Sequence, residues 1–305
     1  MKKTCLGLLL FLFISPICFA QQVTDAASLK QLRVFEDSLK KLGRTVINGR
    51  EDVERINTNY AMIKTLVSAL KINHSFSYPF DSLKSISIIG SADNLFRIIT
   101  WHVTNSDGSY RYYGTIQMNT PDGSLKLFGL EDYSPLLKNP EDSVVDNHKW
   151  YGAQYYKIIQ VNAATPYYVL IGWKGHTEKI TKKVIEVLSF KNDKPVFGLP
   201  VFDGNGKTRD RIVFEFTAQA AMMLKFDEAS NTIIFDHLSP ADPKMKGHFD
   251  TYGPDMTYSG YRLKLNRWVY VDNLDMRNAP QANDDQYVDP KKQALIDKQR
   301  AQIKN

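Results

Sequence analysis

The densest gathering of groups able to do chemistry runs Phe235-Asp236-His237-Leu238-Ser239-Pro240-Ala241-Asp242-Pro243 and, four residues on, His248-Phe249-Asp250-Thr251-Tyr252-Gly253-Pro254-Asp255. Neutral imidazole beside carboxylates can move protons or hold a divalent cation. Asp236, His237, His248 and Asp255 are therefore the candidate catalytic residues, and the chemistry would be that of a hydrolase or a metal-dependent enzyme. The spacing matches neither signature. The chain has no His-Glu-x-x-His, no two histidines three to five residues apart, and no Gly-x-Ser-x-Gly elbow. The same residues also read as loop structure, with Asp236, Ser239 and Asp242 hydrogen-bonding their own turns and the prolines stiffening them. No metal site and no cofactor is predicted.

A second stretch, Asp203-Gly204-Asn205-Gly206-Lys207, opens like a calcium loop. It departs from that pattern where Thr208 replaces the invariant glycine and Phe214 the closing glutamate. A reversing turn into a strand at 211–217 accounts for it. The third resource is aromatic. Among the tryptophans and tyrosines between 101 and 173, Trp101, Tyr112, Trp150 and Trp173 are the candidate ligand-binding residues, because exposed rings on an exported β protein can stack on sugars. Alternation sends neighbours such as Tyr112 and Tyr113 to opposite faces, so at least half of these rings must fill a core.

The elements that would position these groups change character once. Leu29, Leu32, Phe35, Leu39 and Leu42 recur at helical spacing, Gly43 and Asn48-Gly49 interrupt, and Val53, Ile56, Tyr60, Ile63, Leu66 or Val67, and Leu70 form a second stripe. Residues 21–78 are read as a helical hairpin that packs on its own domain. From 79 to 277, Val, Ile, Tyr, Phe and Thr dominate short runs separated by Gly, Pro, Asn and Asp. Strands are predicted at 85–89, 95–104, 110–118, 124–128, 154–161, 167–173, 184–190, 196–202, 211–217, 222–226, 232–235, 261–265 and 267–271. Asp107-Gly108, Asp122-Gly123, Asn192-Asp193 and 227–231 mark reversals, so the sheets should be antiparallel. The fold class is mainly β, as a sandwich, a barrel or a small propeller. No clean repeat of fixed period is visible.

The chain has 305 residues, with 39 Lys and Arg against 33 Asp and Glu. Its basic doublets, Lys182-Lys183 and Lys291-Lys292, stand apart, which gives no nucleic-acid footprint. Residues 1–20 carry Lys2 and Lys3, an apolar run at 5–14, Pro16 and a small exit residue, Ala20, and read as a signal peptide. The run is shorter than the roughly 20 residues that span a bilayer, so no transmembrane span is expected in the mature chain. Cys5 and Cys18 both fall inside it, leaving a mature protein without thiols, disulfides or Cys–metal sites. Residues 278–305 read as a polar tail.

Segments such as Phe96-Arg97-Ile98-Ile99-Thr100-Trp101, Tyr167-Tyr168-Val169-Leu170-Ile171-Gly172, Ile212-Val213-Phe214-Glu215-Phe216, Ile234-Phe235-Asp236-His237-Leu238, Tyr252-Gly253-Pro254-Asp255 and Asp275-Met276-Arg277-Asn278 resemble uncharacterised exported proteins of Bacteroidota-type bacteria. The resemblance spans roughly 85–278 and implies export and a β-rich domain, with no activity or catalytic residue to carry over. The sequence thus reads as an exported protein, periplasmic or extracellular. It is taken as a non-enzymatic binding or envelope-associated protein whose partner is a glycan or an envelope protein. The rival reading is an enzyme working through residues 236–255.

Overall fold

The computed structural model describes residues 24–276, so the signal-peptide and tail expectations lie outside the described residues. Two helices come first, α1 (Ala26–Asn48) and α2 (Asp52–Leu70). Asp25 starts α1 by accepting the N–H groups of Ala27 and Ser28 at 2.9 Å each. Gly43, expected to interrupt this helix, lies buried inside it. The helix passes so close to Ser85 there that any Cβ would strike its hydroxyl. Close packing thus outweighs the roughly 1 kcal/mol that glycine costs a helix relative to alanine. Leu32, Leu39 and Val46 of α1 and Met62, Leu66 and Leu70 of α2 form one buried cluster with Ile99, Trp101 and Val103. The hairpin therefore packs on the β structure as well as on itself.

Strands β1 (Ser87–Gly90), β2 (Phe96–Thr104), β3 (Tyr110–Met118) and β4 (Lys126–Glu131) form an antiparallel meander. The chain continues through β5 (Val145–Asp146), β6 (Gln154–Val161), β7 (Tyr167–Gly175), β8 (Ile180–Lys191) and β9 (Lys194–Phe197). A short hairpin follows, β10 (Phe202–Gly204) and β11 (Lys207–Arg209), then β12 (Ile212–Thr217) and β13 (Leu224–Asp227). Strands β14 (Thr232–Pro240), β15 (Tyr252–Lys264) and β16 (Arg267–Val271) end the described fold. A central sheet runs β5-β9-β8-β7-β6, with β12 also paired to β8, and a third runs β11-β10-β16-β15-β14-β13. Pairing is antiparallel between these strands except where β10 meets β16.

The sheets stay open and stack, so the fold is a layered sandwich and the barrel alternative does not hold. Phe96, Ile98 and Ile116 of the meander pack on Tyr168, Leu170, Val184 and Leu188 of the central sheet. The other face of the same strands, through Tyr167, Val169, Ile171, Ile185 and Val187, packs on Ile233, Phe235, Tyr261 and Trp268 of the third sheet. The order of layers is helices, meander, central sheet, third sheet. Among the described residues no helix is long and apolar enough to cross a membrane.

Two expectations about the strands also change. The strand expected at 196–202 splits into β9 and β10, because Gly198 takes φ +94° and redirects the chain from one sheet to another. The loop expected across 235–255 is largely a hairpin, with Leu238, Ser239 and Pro240 paired to Pro254, Gly253 and Tyr252 beyond a bulge in β15, where Asp255, Met256 and Thr257 oppose His237 alone. Asn205-Gly206, with φ +52° and +73°, makes the predicted reversing turn.

Inside the stack sits a fully buried ion pair. Arg211 Nε donates to Glu186 Oε2 at 2.7 Å, and neither side chain is exposed. Glu186 Oε1 also accepts the Val187 N–H at 2.9 Å, and Arg211 reaches the Pro140 carbonyl. Burial pushes the Glu186 carboxyl above the usual range against the pull of Arg211. Arg211→Met should cost about 3–5 kcal/mol in urea unfolding, because it strands a buried carboxylate. The double replacement Glu186→Met/Arg211→Met should cost far less; equal losses would show that the charge is not what the site requires.

Candidate functional site

The structure brings together two of the four candidate catalytic residues. His237 Nδ1 lies 2.6 Å from Asp255 Oδ2, joining β14 to the bulge of β15. Burial opposes ionisation of Asp255, but hydrogen bonds from Thr257 and His237 hold its carboxyl down at about 2. Asp236, the adjacent strand residue, is engaged elsewhere: its Oδ2 accepts the Met223 N–H at 2.6 Å. His248 is exposed and precedes a short 3-10 turn, where its carbonyl accepts from Thr251. Asp242, as read from the sequence, ties its own turn by accepting the Lys244 N–H at 2.9 Å. Among the described residues no three His, Cys, Asp or Glu side chains come close enough to share a metal ion.

The four candidate aromatic residues separate by burial. Trp101 is enclosed between helices and meander, with Nε1 donating to Asn59 Oδ1 at 2.7 Å. Tyr112 and Trp150 lie between meander and central sheet, donating to the Gly175 carbonyl at 3.1 Å and the Tyr155 hydroxyl at 2.9 Å. All three are core residues with their polar atoms bonded inward, so they do not build a surface platform.

Trp173 is half-buried and differs from the rest. Its ring meets Tyr110 edge-on at 5.5 Å and lies 5.1 Å from His102. Gly175 allows this crowding, since a Cβ there would stand 2.6 Å from both the Trp173 and Tyr110 rings. Trp173 and Tyr110 border a cleft of about 450 Å³ shared with Glu178, Thr181, Lys183 and Phe216. Lys183 donates to the Met222 carbonyl at 2.6 Å, and burial lowers its ammonium from the ordinary value. Burial likewise pulls His102 down, against the hydrogen bond it shares with Gln154 at 2.8 Å. The cleft offers two ring faces with a carboxylate, a hydroxyl and an amine around them. That set can hold a flat polar ligand; it contains no oriented nucleophile and base.

One charged residue escaped the sequence reading altogether. Lys174 is 4% exposed, and its Nζ donates to Ser134 Oγ at 2.7 Å and to the Gly152 carbonyl at 2.5 Å. The same atom stands 4.4 Å from the ring centroids of Tyr112 and Tyr151. Register places it directly opposite Lys182, which faces Glu215 and bonds it at 2.8 Å. Asp132 organises the covering segment by accepting the N–H groups of Tyr112 at 2.9 Å and Ser134 at 3.0 Å.

The chain matches no known protein-family model, no curated protein sequence and no solved structure.

Burial pulls Lys174 from its ordinary value of 10.5 to about 7, with Asp132 opposing the shift. Between those values the unfolded chain holds a proton that the folded chain has released, so this lysine makes stability rise with pH. Lys174→Met removes that contribution. In urea unfolding the variant should compare best with the native protein at pH 7 and progressively worse towards pH 10; a constant difference would show that Lys174 titrates as an ordinary lysine.

Proposed function

We infer that the protein is an exported, non-enzymatic binding protein of the cell envelope whose ligand is a glycan, and that the Trp173 cleft is where it binds. The supporting observation is that Trp173, the one candidate ring of the four that is not buried, borders a cleft with a second ring, Tyr110, and polar groups around it. A sugar ring presents an apolar C–H face and a hydroxyl rim. An aromatic wall with carboxylate, hydroxyl and ammonium neighbours complements both. The enzyme reading would need Asp236, His237, His248 and Asp255 around one cleft, and only the surface pair His237–Asp255 supports it.

Glycan-array screening followed by calorimetry tests the binding. Trp173→Ala should weaken the best ligand by at least about tenfold, as loss of an aromatic anchor does, with an unchanged thermal midpoint. Absence of any bound glycan, or equal affinity in the variant, would overturn the proposal. Its export half is tested by N-terminal sequencing of protein recovered outside the cytoplasm: the expected first residue is Gln21.

A further inference from the structure

A second cavity lies where α2 crosses the meander. Ile63, Leu66 and Val67 of α2 face Leu127 of β4 around a chamber of about 270 Å³. The polar side chains on its wall already have partners. Trp101 Nε1 is bonded to Asn59, and Thr115 Oγ1 donates to the Phe128 carbonyl at 2.9 Å. Of the remaining polar side chains on the wall, Glu131, Asn147 and His148 belong to its open end.

The chamber adjoins a mixed cleft of about 440 Å³, in which Pro135 and Leu136 stand beside charged side chains, and Tyr113, Leu130, Glu131 and His148 line both. At this junction His148 Nδ1 stands 2.6 Å from Glu131 Oε1, with both side chains exposed. Arg111, Asp132 and Tyr133 complete the polar side. Two acidic and two basic side chains give it no dominant sign, which suits an uncharged headgroup rich in hydroxyls.

Gly129 stands on the chamber wall in β4, and a Cβ there would meet nothing within 4 Å. Its φ is not positive, so the backbone does not require glycine. What the missing side chain provides is space.

We propose that this paired cavity binds a single-chain amphiphile, with its alkyl chain in the chamber beside Gly129 and an uncharged polyhydroxyl headgroup in the cleft at Glu131 and His148. An apolar ligand would leave the polar side empty, and a bare sugar would leave the chamber empty; only a molecule with both parts buries both surfaces. At about 30 Å³ for each water-sized group, the chamber takes roughly nine carbons.

The probes are n-alkyl β-D-glucosides of graded chain length and glucose itself, titrated by calorimetry below their critical micelle concentrations. Affinity should rise by about fourfold for each added methylene, the fold-change of burying one CH2, and level off near nine carbons. Gly129→Leu, which fills the chamber from its wall, should flatten the series while leaving the thermal midpoint at or above that of the native protein. Gly129 lies outside the Trp173 cleft, so the Gly129→Leu outcome is independent of the glycan reading at Trp173. Affinity without chain-length dependence, a rise that continues past the chamber's capacity, or a series unchanged in Gly129→Leu would each overturn the assignment.

Discussion

The middle strands of the central sheet have no face left for water, and the rest of the architecture answers to that constraint. Side chains alternate along β7, so Tyr167, Val169 and Ile171 go to one neighbouring layer and Tyr168 and Leu170 to the other. A sheet buried on both sides must be covered twice, and the meander and the third sheet do this. The meander then has its own outer face to bury, on Ile99, Trp101 and Val103, and the two helices close it. Four layers are the smallest number that leaves each apolar face covered in this arrangement. No cysteine lies among the described residues, so apolar burial carries their stability.

Polar groups inside such a stack have to find partners within it. The face that β7, β8 and β12 turn towards the meander carries Lys174, Lys182 and Glu215 in one cross-strand row and Glu186 beside Arg211 further along. The segment from Asp132 to Ala153 lies over these charges, and Tyr151 stands 4.4 Å from Lys174 and 5.8 Å from Arg211. This covering segment also forms one wall of the polar cleft, through Asp132, Tyr133 and His148. The order of the buried charges and the shape of that surface are therefore linked through one stretch of chain.

Much of the local structure was legible in the residues. Strands at 110–118, 154–161 and 267–271 begin and end where alternation and turn residues place them. Asn192-Asp193 reverses the chain with φ +51° and +60°. What escaped depends on partners distant in sequence. Gly43 resembles a helix break until Ser85 is beside it, and Gly198 resembles a strand interior until the chain is seen to change sheets. The Phe235–Asp255 stretch resembles a loop because Pro, Asp and Ser recur in it, yet β14 and β15 pair across it at a place where Pro240 ends the strand. For the sites, composition identified His237 and Asp255 but could not show that Asp236 is turned to another strand. Trp173 was visible as one ring among many. Lys174 was not visible, since a lysine between Trp173 and Gly175 looks like any surface charge until both adjoining layers are in place.

β8 has a divided far edge: Ile180 to Ile185 pair with β12, while Leu188 to Lys191 pair with β9, and Thr181 to Leu188 pair with β7 on the near side. Slippage by one residue would have to break three ladders together, and would also drive Glu186 out of reach of Arg211 and into an apolar layer. The strand therefore acts as a keystone for alignment. Its register is held from both edges at once, a constraint that a strand paired on one side only does not have.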